Sequence, residues 1–299
     1  MKKIRKIGEW GIKWLDFVNL EVDKKKEILK KYNFHELDVE SCLEENQFIK
    51  VNKNDDYIFI ILNFPKYIPN EWIYVRNEFD IFLWKDFLLT FRDYPSSHVD
   101  KIFNMYKNMN LEAEKINPGY ILYKVIEVML EKTYNAIHKQ TKDLNKLEKD
   151  IFVSSKTEVK YILIKKRNII LLRHIFQPQV FILRQLENAL NSFFEGEYEL
   201  YFEDLEDKID FIVNQISILY ERIENIEDAF RNIVDIKLNN IMAMLTAFST
   251  FMLPLTLITS FYGMNITLPF QNNPEVVYSL LIFSGILMLI FIWYFIEKK

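Results

Sequence analysis

Gly263, Met264 and Asn265 stand together between two uncharged runs, residues 241–262 and 276–296, with no carboxylate or histidine beside them. What they offer is neutral oxygen: the side-chain amide of Asn265 and backbone carbonyls that the missing side chain of Gly263 leaves open. A divalent ion such as Mg2+ holds its water tightly and demands near-octahedral oxygen coordination. A site that must catch and release it quickly should accept hydrogen bonds from its waters rather than strip them. A ring of amides can do that. A ring of carboxylates would bind more tightly and release more slowly.

A stripe of residues leads up to this tripeptide. Asn239, Met242, Leu245 or Thr246, Ser249, Leu253, Thr256 and Ser260 recur at steps of three and four, so they share one helical face that ends at Gly263. Hydroxyls, amides and carbonyls on one face can line a narrow pore, with Met242 and Leu253 as apolar constrictions. Close packing of membrane helices uses the same small residues. Pro254 suits either use, because it kinks or locally opens a helix.

The elements that must carry these residues are membrane helices. The two uncharged runs hold 22 and 21 residues, and about 20 apolar residues cross a hydrocarbon core of ~30 Å. Ser284 and Gly285 interrupt the second run, which is otherwise mostly Ile, Leu and Phe and reads as a lipid-facing outer helix. Before the first run lies a seam, Ile209, Ile212, Ile216, Leu219, Ile223, Ile226, Phe230 and Ile233, flanked by charged residues. Steps of three and four over more than three heptads mark a coiled-coil or bundle seam. With no Pro or Gly before the membrane run, one rod from Asp204 to Tyr262 would be roughly 88 Å long. Several copies associating would set this seam around a central axis.

Half of the 299 residues are hydrophobic and 27% are charged, and nearly all the charge precedes residue 238. A net charge of −4 gives no sign of a nucleic-acid partner. One cysteine, Cys42, makes no intrachain disulfide and reads as a packed thiol. The basic start MKKIRK is followed by no apolar core of a signal peptide. Lys237, Lys298 and Lys299 flank the two spans, while residues 263–275 carry no Lys or Arg. Both termini are therefore expected in the cytoplasm and the loop outside, in the plasma membrane.

Residues 1–108 read as an α/β cytoplasmic domain. Residues 57–62 form a β-branched and aromatic run, 80–84 and 87–91 a hairpin about Lys85-Asp86, and 22–45 one or two helices. Residues 109–240 read as long helices of a cytoplasmic stalk, with a turn at 194–197; 241–262, 263–275, 276–296 and 297–299 follow as first span, outer loop, second span and basic end. The fold class is thus an α+β domain, then long helices, then two C-terminal transmembrane helices. No catalytic constellation is visible, so no enzyme is expected. His35, His98, His138 and His174 share no metal-ligand spacing. Asn265-Ile266-Thr267 fits a glycosylation sequon, read as chance this close to the membrane.

Tyr262-Gly263-Met264-Asn265 at the end of the first of two C-terminal membrane helices, behind a long cytoplasmic helix, resembles the CorA-type divalent-cation channels. The likeness extends through Asn239-Asn240-Ile241-Met242, Met252-Leu253-Pro254-Leu255-Thr256 and Tyr201-Phe202-Glu203-Asp204, and more faintly to Trp14, His35 and Glu40. It implies a homopentameric funnel in the lipid bilayer, passive Mg2+ influx down the membrane potential, and closure by cytoplasmic Mg2+ bound between neighbouring subunits. Relatives carry Co2+ and Ni2+, and the ZntB branch moves Zn2+. The resemblance makes Gly263, Met264 and Asn265 the selectivity filter. It makes Asn239, Met242 and Leu245 the inner gate, and Asp204 one member of the regulatory metal site. The usual acidic partner falls at Ser41, with Glu40 beside it, and the position of a pore methionine is Leu253. The outer loop lacks an acid close after Asn265. The reading from another class is a membrane-anchored coiled-coil scaffold or sensor that conducts nothing.

Overall fold

The computed structural model describes residues 12–44, 47–107, 117–153, 159–194, 198–266, 268–270 and 273–297. The chain divides into two compact units, Met1–Glu227 and Asp228–Lys299. The expected turn at 194–197, the basic start, Thr267 of the sequon and the final two lysines lie wholly or mainly outside the described residues.

The first unit opens with a five-stranded sheet of order β1-β5-β4-β3-β2. Its strands are β1 (Lys13–Val18), β2 (Lys50–Lys53), β3 (Ile58–Ile68), β4 (Ile73–Leu83) and β5 (Phe87–Arg92). Only the β1–β5 pair is parallel. β3 is buried without interruption from Ile58 to Phe64, as a strand covered on both faces must be. One covering layer is α1 (Val22–Leu29) and α2 (Glu36–Leu43), whose Leu29 and Cys42 join Phe59, Ile61, Phe82 and Phe91 in a core. The hairpin expected about Lys85-Asp86 is the β4–β5 connection, with Phe82 opposite Leu89.

Helices α3 (Ser97–Lys107), α4 (Pro118–Val153) and α5 (Val159–Phe194) follow. Two buried amides of α5 finish the sheet. β2 pairs with β3 only as far as Ile61, so beyond it the backbone of Asn63 would be left open. The Gln179 amide donates to the Asn63 carbonyl at 2.9 Å and accepts from its N–H at 3.1 Å. Asn168 likewise accepts from Tyr74 N–H and donates to the Trp72 carbonyl, both at 2.9 Å. Each amide stands in for a missing strand and satisfies backbone groups that burial would otherwise leave unpaired. Pro65, which has no N–H to give, lies in β3 beyond the reach of β2.

Helix α6 spans Glu199–Tyr262. The seam foreseen along it is present, and Ile209, Ile212, Ile216, Leu219, Ile223 and Ile226 are all buried. They are buried within one copy of the chain, which corrects the expectation that self-association covers them. The chain's own α4 and α5 lie alongside: Arg222 pairs with Glu148 of α4 at 2.9 Å, and Lys166 of α5 with Glu227 at 2.7 Å. Tyr134 of α4 packs on Phe211. Leu144, Leu147 and Ile151 of α4 are buried too. Apolar steps of three and four specify a seam but not whether its partner is the same chain or another.

The second unit holds the C-terminal part of α6 and α7 (Pro274–Glu297). α6 contains a stretch long and apolar enough to cross a membrane, and α7 is apolar over Pro274–Ile290.

Candidate functional site

The C-terminal part of α6 has two opposed faces. Asn239, Met242, Leu245, Thr246, Ser249, Leu253, Thr256, Ser260 and Gly263 are all exposed. Ala247, Thr250, Phe251, Pro254, Leu255, Ile258 and Tyr262 are half-covered. At 100° per residue the two sets centre on nearly opposite sides of the helix. α7 carries a matching half-covered stripe, Val277, Leu281, Ser284, Gly285 and Met288. The polar stripe expected from the sequence lies opposite the half-covered residues, though Met244, Phe248, Met252, Leu257 and Phe261 on other sides of the helix are exposed as well.

The hydroxyls on this face are committed in a particular way. Thr246 donates to the Met242 carbonyl at 2.8 Å, and Thr256 to the Met252 carbonyl at 2.9 Å. Each spends its proton on the helix four residues back. Its oxygen then faces outward as an acceptor, which suits the waters of a hydrated cation. Pro254 has no N–H for the Thr250 carbonyl, so that oxygen lacks its helical bond.

At the end of α6 the backbone tightens. Gly263 N–H donates to Thr259 O at 2.9 Å, and Met264 N–H to Phe261 O at 3.3 Å. A Cβ at Gly263 would sit 3.0 Å from Thr259 O, the oxygen already accepting its N–H. A side chain there would require the last turn to give by a few tenths of an ångström. Met264 and Asn265 are exposed just beyond it. Phe270 in the following loop holds φ at 63°, a conformation bulky residues avoid.

The cytoplasmic candidates sit elsewhere in the chain. Asp204 accepts from Lys208 Nζ at 2.6 Å and from the Tyr123 hydroxyl at 3.4 Å. Lys208 also reaches Glu127 at 3.1 Å, and Glu127 binds Lys124 at 2.8 Å. Burial raises the Glu127 pKa, but hydrogen bonds from Lys124 and Lys208 outweigh it and hold the carboxyl below its usual range. Burial opposes the charge of Lys208, yet Asp204 and Glu127 raise its pKa overall. Ser41 on α2 donates to the Leu37 carbonyl at 2.7 Å and accepts from Lys50 Nζ at 2.5 Å. Glu40 is exposed. A resident cation at Asp204 does not fit these side chains within one copy. Among the described residues no three His, Cys, Asp or Glu side chains gather to hold a metal, and Asp204 already has an ammonium group. Sequence reasoning missed Glu127, Lys208 and Lys50. The i,i+4 spacing of Asp204 and Lys208 was a visible signal for one of them.

The family model described as CorA-like Mg2+ transporter protein matches residues 9–299. The chain belongs to this family. The cobalt/magnesium transport protein CorA of Thermotoga maritima is 24% identical over 293 residues, which cover 96% of this chain and 82% of that one. The complete structure of the CorA magnesium transporter from Methanocaldococcus jannaschii superposes with a TM-score of 0.72 at 18% identity, covering 99% of this chain and 93% of its own. The full-length CmaX protein gives a TM-score of 0.73 at 15% identity, covering 96% and 88%. These structural likenesses concern the CorA fold: an α/β domain, long helices, and apolar helices at the C-terminus. His35, one of the fainter points of likeness, has a structural task here, since its ring accepts from Leu37 N–H as the N-cap of α2. Trp14 is buried, with its indole N–H on the Thr90 hydroxyl at 3.0 Å.

Proposed function

We propose that the chain is a divalent-cation channel of the plasma membrane that admits Mg2+ down the membrane potential. Several copies, five by resemblance to the CorA-type channels, place the open face of α6 around a common axis. The hydrated ion meets a ring of Asn265 amides at the outer mouth, where Gly263 lets the backbone turn closely. It then passes the acceptor oxygens of Ser260, Thr256, Ser249 and Thr246, with Leu253, Leu245 and Met242 as apolar constrictions and Asn239 at the inner end. Both termini lie in the cytoplasm. Co2+ is a second cargo, consistent with the names of the relatives. For control by cytoplasmic Mg2+ the resemblance offers Asp204 together with Glu40 and Ser41 of another copy.

The observation that carries this reading is the opposition of faces on α6. The largely apolar side is half-covered, while the side bearing amides and hydroxyls is exposed and ends at Asn265. Polar oxygens in a membrane call for a partner or water, not lipid. The test is uptake by purified protein in liposomes, with Mg2+ and Co2+ compared with and without an inside-negative potential. Asn265→Ala removes the ring of acceptors and should cut uptake by about 10²-fold or more, a loss of about 3 kcal/mol at the barrier, while oligomers still form. Uptake in that variant equal to wild type would sink the filter role. No uptake by the wild type would favour a scaffold that conducts nothing.

A further inference from the structure

We propose that Lys208 is a tethered cation that takes the place of a divalent ion at Asp204, so that cytoplasmic Mg2+ closes this channel weakly or not at all through that residue. The inference rests on the channel reading and concerns the control of the same pore. Its ground is the geometry of four charged side chains and a phenol. Lys208 Nζ lies between two carboxylates, 2.6 Å from Asp204 Oδ2 and 3.1 Å from Glu127 Oε1. The Tyr123 hydroxyl lies within 3.1 Å of the same Glu127 oxygen and 3.4 Å of the same Asp204 oxygen. Lys124 holds the other oxygen of Glu127 at 2.8 Å.

Two carboxylates and two ammonium groups make this cluster electrically neutral. A divalent ion arriving there would meet two carboxylates whose charge the two lysines already balance, and would compete with Lys208 for Asp204 Oδ2 and Glu127 Oε1. Lys208 cannot diffuse away, because it sits on α6 itself, one turn from Asp204. The other half of the expected site agrees. Where an acid would face the ion, the Ser41 hydroxyl donates a hydrogen bond to the Leu37 carbonyl and its oxygen accepts one from Lys50. That surface presents a cation as well. Each half of the expected metal site is therefore supplied with a lysine from the chain that carries it.

The experiment uses the full chain in detergent or nanodiscs, with Mg2+ alone as the probe. Hydrogen exchange is followed in the peptides that carry Glu127 and Asp204 as Mg2+ rises into the millimolar range. Wild type should show no slowing. Lys208→Gln, which leaves both acids with a deficit of positive charge, should show slowing with a midpoint at least about tenfold lower than any in wild type, equivalent to about 1.4 kcal/mol. Lys208→Arg keeps the tethered charge and should behave as wild type. Adding Asp204→Asn to Lys208→Gln should abolish the gain. Slowing in wild type at millimolar Mg2+ that Lys208→Gln leaves unchanged would overturn the proposal. So would the absence of any response in Lys208→Gln. Because exchange is read without transport, loss of uptake in liposomes would count against the channel reading and leave this result standing.

Discussion

Glu78 shows how one residue's surroundings set its chemistry. It lies on β4 and is 6% exposed. Its carboxyl accepts from Gln47 N–H at 3.1 Å. Burial first, then the nearby charges of Asp80 and Asp93, push its pKa from 4.5 up to about 7, with Lys25 opposing them. A raised acid pKa means that the folded chain keeps a proton the unfolded chain releases. Stability is therefore greatest below about pH 4.5 as far as this group is concerned, falls as pH rises toward about 7, and is flat beyond. Glu78→Gln keeps an acceptor for Gln47 and removes the charge. Its melting temperature should gain on wild type as the pH goes from about 5 to about 8. A constant difference across that range would show that Glu78 titrates normally. Other residue roles divide by visibility in the sequence. Gly263 and Asn265 could be picked out because membrane runs on both sides leave few explanations for them. Glu127 could not, because only tertiary packing brings α4 beside Asp204.

At the scale of elements, the β4–β5 hairpin and β3 were legible, since both are dense in β-branched and aromatic residues about a short turn. β1 was not. Its sequence, KWLDFV, carries Asp16 among apolar residues, and its partner β5 is remote in sequence and parallel to it. A second missed strand, β2, is the short polar KVNK at the sheet edge, which exists by pairing with β3. The first half of β4 was hidden by Arg76-Asn77-Glu78, whose polarity is met locally: Asn77 accepts from Tyr94 N–H at 2.9 Å. β1 is tied to β5 by a buried ion pair. Asp16 accepts from Arg92 Nε at 2.8 Å and from the Thr90 hydroxyl at 2.7 Å, and a second Arg92 nitrogen also contacts it. Both residues are at most 3% exposed. Asp16→Ala would leave the guanidinium buried beside Asp100, which it reaches only at 3.5 Å. The expected cost is about 3–5 kcal/mol, read as a fall in the denaturant midpoint. A loss below about 1 kcal/mol would mean that water or movement of β1 relieves the charge.

For the whole molecule the consequential feature is which side of α6 meets another copy. The seam up to Ile226 is covered by the chain's own helices, so it cannot be what gathers subunits. The polar stripe beyond Asn239 is not covered, and its hydroxyls and amides belong with water or with like helices rather than with lipid tails. If the stripe faces a common axis, a cysteine on it should meet its counterpart on a neighbouring copy, while one on the half-covered side should not. Ser260 and Ile258 make that comparison within one turn of helix. Cys42 is buried and gives little background. In membranes treated with a short bifunctional maleimide, Ser260→Cys should yield a linked dimer, because one accessible thiol per chain can join only two copies, and Ile258→Cys should remain mostly monomeric. The reverse pattern would turn the stripe toward lipid and the half-covered side toward the axis. It would remove the acceptor oxygens of Thr246 and Thr256 from any path an ion could take, and leave Asn265 as an isolated amide at a helix end.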